Sequence, residues 1–164
     1  MIVTPVNAPE FIASAIEAST LFTDAGLVVF SPDQPEVGTG IIVDDGLPNG
    51  LTGVETALSA PGKGLCIIVG QFDECSVADQ IDGAVSHACR FTVFVRENVE
   101  RNRSTAGTGI TCVAAAVEVI KSVISSPTTS PVFRRMASGM FRNLRVENGT
   151  WTCSVTLTIP TVIR

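Results

Sequence analysis

Asn148-Gly149 separates two strand-like runs, and the second run alternates strictly. Trp151, Cys153, Val155, Leu157 and Ile159 are apolar, while Thr152, Ser154, Thr156 and Thr158 are polar. An Asn-Gly pair favours a type I′ turn, whose positive φ angles match the twist of the strands it joins. A period of two is the mark of a strand with one buried face. The chain must therefore build a sheet with one apolar face and cover that face with something else. A two-residue turn sets Val146 opposite Trp151 and Leu144 opposite Cys153. Pro160, which has no N–H to give, is expected to close the ladder.

The remaining elements follow from periodicity and punctuation. Asn7 and Pro9 suit a helix start, Phe11, Ile12, Ala15, Ile16 and Ser19 fall near one helical face, and Gly26 ends the helix. Short strands are expected at 27–30 and 37–43. Asp44 to Gly50 reads as a loop, and 52–60 as a helical turn or two. Pro61-Gly62-Lys63-Gly64 is a tight turn into Leu65-Cys66-Ile67-Ile68-Val69, an uncharged run that fits a strand buried on both faces. Residues 70–86 are acidic and read as an exposed loop, followed by a strand at 88–96 and an Arg/Asn/Glu-rich loop at 97–108. Residues 109–125 read as a helix, with apolar positions 110, 113, 114, 117, 120 and 124 joined by 116, 119 and 123. A stripe that wide suits either burial on two sides, one of them against a neighbouring subunit, or a central core helix. Ser125 to Pro131 is a connector, and the basic stretch 133–140 reads as a further helical turn. Helices grouped around short strands indicate an α+β fold: a single domain over 1–164, with a mainly antiparallel sheet flanked by helices and a C-terminal β-hairpin.

Charge divides the chain. Residues 1–82 hold one Lys/Arg against twelve Asp/Glu, and residues 83–164 hold ten against four, giving −11 and +6 within a total of −5. Such a chain presents two electrically different surfaces, which suits an assembly part better than a catalyst. Hydrophobic content of 45% over 164 residues supports a real core. No uncharged apolar run is long enough for a membrane span, and the N-terminus lacks the basic-then-apolar order of a secretory signal. The five cysteines contain no Cys-x-x-Cys pair and are expected as free thiols of a reducing cytoplasm. Two sequons, at Asn102 and Asn148, are expected to be polar loops.

Motifs for chemistry are sparse. His87 is the single histidine. With Cys89 and Cys75 it has irregular ligand spacing for zinc, and a Cys–His nucleophile would also need an orienting third group. Asp44-Asp45 and Asp73-Glu74 are adjacent acids in polar stretches, where solvation is the ordinary state. Gly62-Lys63-Gly64 and Gly38-Thr39-Gly40 lack the rest of a phosphate-binding loop. Ala106 to Gly109 precedes a helix start, and Thr108 is the expected cap. No catalytic, cofactor or metal residue is assigned, and the chain is not expected to be an enzyme. Arg90, Arg96, Arg101, Arg103, Arg134, Arg135, Arg142 and Arg145 could contact phosphates, which leaves a nucleic-acid-binding module as an alternative. No aromatic set interleaves with them as a stacking platform. Arginine also pairs bidentately with carboxylates at protein interfaces. Contact between the basic part of one copy and the acidic part of the next is a route to a ring.

The order of elements has a likeness. Gly64-Leu-Cys-Ile-Ile-Val-Gly70, then Arg90-Phe-Thr-Val-Phe-Val-Arg-Glu-Asn98 with Asn102-Arg103, a long helix and a terminal hairpin resemble the tail terminator (tail completion) proteins of long-tailed, lambda-type bacteriophages. The pattern covers most of 8–160 and is strongest over 89–125 and 141–160, whereas 31–63 match no motif of the family. The resemblance implies a small subunit of a hexameric ring in the virion tail, assembled in the host cytoplasm. The ring would cap the tail tube protein, end its polymerisation and meet the head connector, with DNA passing through the lumen without specific binding. A neck or connector protein of the same particle is the related alternative. On this reading Arg96, Arg101 and Arg103 are the interface candidates. They would be paired with Asp73, Glu74, Asp79 and Asp82 of a neighbour.

Overall fold

The computed structural model describes residues 3–30, 40–43, 63–81, 84–126, 137–147 and 149–163. The expectations for 31–39, 44–62 and 127–136 lie outside these residues. The described chain is α+β, with one mixed, mostly antiparallel sheet carrying its helices on one face. In sequence order the elements are α1 (Ala8–Glu17), α2 (Thr20–Asp24), β1 (Val28–Phe30), β2 (Gly40–Val43), β3 (Leu65–Ile81), β4 (Ala84–Asn98), α3 (Val99–Asn102), α4 (Cys112–Ile124), β5 (Ser138–Glu147) and β6 (Thr150–Ile163). The six strands lie in the order β1-β2-β3-β4-β6-β5. β1, β2 and β3 run parallel to one another, and β3, β4, β6 and β5 are successively antiparallel.

Alternation decides the faces. Cys89, Phe91, Val93 and Val95 of β4 and Cys153, Val155, Leu157 and Ile159 of β6 are fully buried beneath α4, in one core with the apolar face of α1. Arg90, Thr92, Phe94, Arg96 and the β6 residues Thr152, Ser154, Thr156 and Thr158 occupy the opposite face and are half-buried or exposed. We call this the outer face. Ile41, Leu65, Ile67 and Val69 extend the core beneath α1, while Ile42 and Cys66 are buried on the outer side, as the uncharged run at 65–69 predicts.

Several expectations need correction. The first helix is two, because Ser19 is extended (φ −68°, ψ 130°) and breaks the run. The Ser19 hydroxyl donates to Glu118 of α4 at 2.6 Å. Asn7 caps nothing with its side chain; its Oδ1 accepts from Thr4 N at 2.7 Å instead. Residues 70–86 are exposed as expected over 71–77, but 70–81 and 84–86 are strand rather than loop. Bulges at Val69/Phe72, Phe72/Glu74 and Val77/Asp79 break the alternation by which a strand is recognised. Ser138–Met140 belong to β5, not to a helical turn. The helix expected at 109–125 begins at Cys112, and its cap is Thr111, whose Oγ1 accepts from Ala114 N at 3.2 Å. It buries Cys112, Ala115, Ala116, Val119 and Val123, whereas Val113 and Val117 of the expected stripe are exposed.

The hairpin holds at Val146↔Trp151, and Gly149 takes the positive φ (76°) that its turn requires. A bulge between Arg142 and Arg145 removes the expected pairing of Leu144 with Cys153. Pro160 does not close the ladder: β6 continues to Ile163, with Pro160 opposite Ala88. Val162 N donates outward to Val3 O at 2.9 Å, away from β4. Pro160 has the same parity, so its missing N–H deletes no rung to β4.

Candidate assembly interface

The loop between β4 and α4 is organised from within. Glu97 and Asn102 are buried, 1% and 0% exposed. Asn102 Nδ2 donates to Glu97 Oε1 (2.9 Å) and to Ile110 O (2.7 Å), and its Oδ1 accepts from the Thr108 amide (3.2 Å) and hydroxyl. Glu97 Oε2 accepts from Cys112 N at 2.7 Å, at the first turn of α4, where free N–H groups favour a negative charge. Gly64, with φ of 79°, passes so close that a Cβ there would collide with the backbone of Asn102. Asn102 is thus the hub of a buried network, not the polar-loop residue its sequon indicates. Thr108 serves this network, its Oγ1 accepting from Ile110 N at 3.1 Å, and does not cap the helix.

The candidate arginines border this network. Arg103 is exposed, with Nε 3.8 Å from Glu97 Oε1. Arg101 lies half-buried on α3. Arg96 is half-buried on the outer face, opposite Cys66 in register, and its Nε is buried with no hydrogen-bond partner among the described residues. The candidate acids lie farther along β3. Asp73 and Glu74 are exposed. Asp73 accepts from the Thr92 hydroxyl (2.6 Å), and Glu74 pairs with Arg90 (3.0 Å). Asp79 belongs to β3 by its backbone, opposite Ser86, and Asp82 lies outside the described residues. Within one chain the structure therefore separates the two candidate sets. Along β4, from Arg96 to Arg90 opposite Glu74 is six residues of strand, or about 20 Å.

Sequence reasoning passed over the two sheet edges. Among the described residues β5 has no strand beyond it, and β2 flanks β3 only as far as Val69. Every residue from Gln71 to Val77 is exposed, Phe72 at 49% and Val77 at 69%. On β5, Met140, Phe141 and Val146 are exposed, and Arg142 has no ion-pair partner among the described residues. Arg90, Ser138, Gly139, Met140, Arg142, Thr156 and Thr158 line a shallow groove of about 350 Å³ on the outer face. No period-two signal marks 138–142, where Met140 and Phe141 are adjacent apolar residues, so β5 was not legible there.

His87 and Cys89 do share a face of β4, as a strand requires. Cys89, however, is bonded to Cys75, its register partner across the ladder. This corrects the expectation of five free thiols to three: Cys66, Cys112 and Cys153, all buried. Burial pushes the Cys66 thiol up to about 12 despite the nearby Arg96 charge, so it holds its proton. Among the described residues no three His, Cys, Asp or Glu side chains gather as a metal site, and no helix is long and apolar enough to cross a membrane. No protein-family model matches the chain, and no curated protein matches it.

Proposed function

We propose that this chain is a virion structural protein, a ring-forming tail terminator of a tailed phage. The ring caps the tail tube, ends its polymerisation and offers its other side to the head connector. One observation carries this reading: among the described residues the sheet is open at two edges of unlike character, an acidic exposed stretch of β3 and a basic exposed β5. Natural monomers protect such edges, and unlike edges on one molecule favour head-to-tail association. The resemblance described above supplies the particular assembly, and the segregation of charge between the halves of the chain agrees with it. The mechanism is geometric: one side of the ring fits the last tube ring, and the other side gives no template for another.

The test is to add purified protein to polymerising tail tube subunits and to image the products by electron microscopy. Capped tubes of arrested length are expected. Tubes of unchanged length with bare ends would contradict the proposal, and rings attached only to the connector would favour a neck protein. The outer groove with Arg90 and Arg142 supports a second reading, in which the basic face binds nucleic acid. That reading requires DNA affinity that falls steeply with salt.

A further inference from the structure

We propose that neighbouring copies join through their sheets: β5 of one copy pairs antiparallel with the exposed 71–77 stretch of β3 in the next. This rests on the ring-forming reading and names the contact that would build the ring. The occupant of each edge is thus a second copy of this chain.

Strand sense permits the contact. β3, β4, β6 and β5 are successively antiparallel, so β5 runs opposite to β3. Rotation about a ring axis preserves the sense of each strand and the side on which the helices lie. One copy's β5 therefore meets the next copy's β3 in antiparallel orientation, with helix-covered faces on the same side.

The side chains match on both faces. On the helix side β5 presents Phe141 and Val146, register partners of Val155 and Trp151, and β3 presents Phe72 and Val77, partners of Phe91 and His87. All four are at least 41% exposed in the single chain. On the outer side Arg142 and Met140 of β5 would face Asp73 and Glu74, whose carboxylates have acceptor sites beyond those used by Thr92 and Arg90, their partners among the described residues. Joining the edges sets Phe141 between Phe72 and Val77 and a cation beside carboxylates, while Val146 falls level with Val69, where β2 ends.

The stagger is consistent with a closed sheet. Through Ser154 and Phe94, Arg142 lies level with Ile68 of its own copy. Ile68 is opposite Phe94 and Glu74 opposite Arg90, so reaching the level of Glu74 in the next copy needs a slide of four residues along β4, about 13 Å. Four strands at about 4.8 Å spacing make a width of about 19 Å, so a tilt near 35° supplies that slide, within the range that closed sheets adopt. The backbone is also available. Val155 faces β4 with its N–H, so its partner Phe141 directs its own N–H away from β6.

The experiment uses the full chain with Arg142→Glu, with Asp73→Arg, and with the two variants mixed. Light scattering measures assembly, and circular dichroism checks folding. Each variant alone is expected to need at least about tenfold more protein for half-assembly, because like charges meet across the joint. The equimolar mixture is expected to recover wild-type assembly. The glutamate introduced at position 142 of one variant meets the arginine introduced at position 73 of the other, and the next joint restores the native pair. The Phe141 amide should exchange slowly in the assembly and rapidly in either variant alone. If both variants assemble like the wild type, or the mixture does not recover, the edge joint is wrong while the ring reading stands. A wild-type chain that stays monomeric would overturn both.

Discussion

Asn102 shows how much a single side chain can determine here. Its amide joins Glu97, Thr108 and Ile110, and so fixes the path from β4 into α4. Asn102→Ala leaves buried partners unsatisfied and is expected to cost about 2–4 kcal/mol in chemical denaturation. The role is invisible in the sequence, where Asn-Arg-Ser reads as polar loop, because it arises from backbone groups that only the fold brings near. Cys66 gives a pH signature. Its folded pKa, about 12, lies above the ordinary thiol value of 9.0, so its contribution is whole below pH 9, where both states hold the proton. Between pH 9 and 12 the unfolded thiol ionises while the folded one does not, and stability falls by up to about 1.4 kcal/mol per pH unit from this group. Denaturation series at pH 8 and pH 10 should show the fall, and Cys66→Ala should lessen it. Thiol titration of the denatured, unreduced chain should find three thiols, and five after reduction.

At the scale of elements, the C-terminal hairpin and the central strands were legible because alternation is unbroken from Trp151 to Ile159 and is interrupted only at Phe94 from Phe91 to Arg96. The outer half of β3 was not, since its bulges set both Asp73 and Glu74 toward the outer face. A run of acids with irregular alternation reads as loop although its backbone is laddered. α4 was legible as a helix but not in orientation, because apolar residues surround it on nearly every side. Packing resolves this: Val119 is fully buried and Val117 is 48% exposed. Val119→Ala is expected to lower stability by about 2 kcal/mol, and Val117→Ala by less than about 0.5 kcal/mol, by urea denaturation. If the two changes cost the same, the orientation given for α4 is wrong.

At the scale of the molecule, the charge division is realised as sheet geometry. The candidate arginines at 96, 101 and 103 lie toward one end of the long strands, and Asp73 and Glu74 lie farther along β3, so no single chain brings them together. The sequence could show that the two charges exist but not where each would lie, since that depends on strand order and on which edges stay open. Arg142, on an open edge, is the partner proposed for the acids in place of Arg96, Arg101 and Arg103. An assembly held partly by such pairs should weaken with ionic strength, because exposed charges are screened within about 10 Å at 0.1 M salt. Sedimentation in low and high salt should show that shift. The most direct measurement is the native mass of the purified wild-type chain, combined with electron microscopy of the same sample. The account predicts one closed ring of several copies of the 17.2-kDa chain, about six if the phage likeness holds. A strictly monomeric species at high concentration would contradict it.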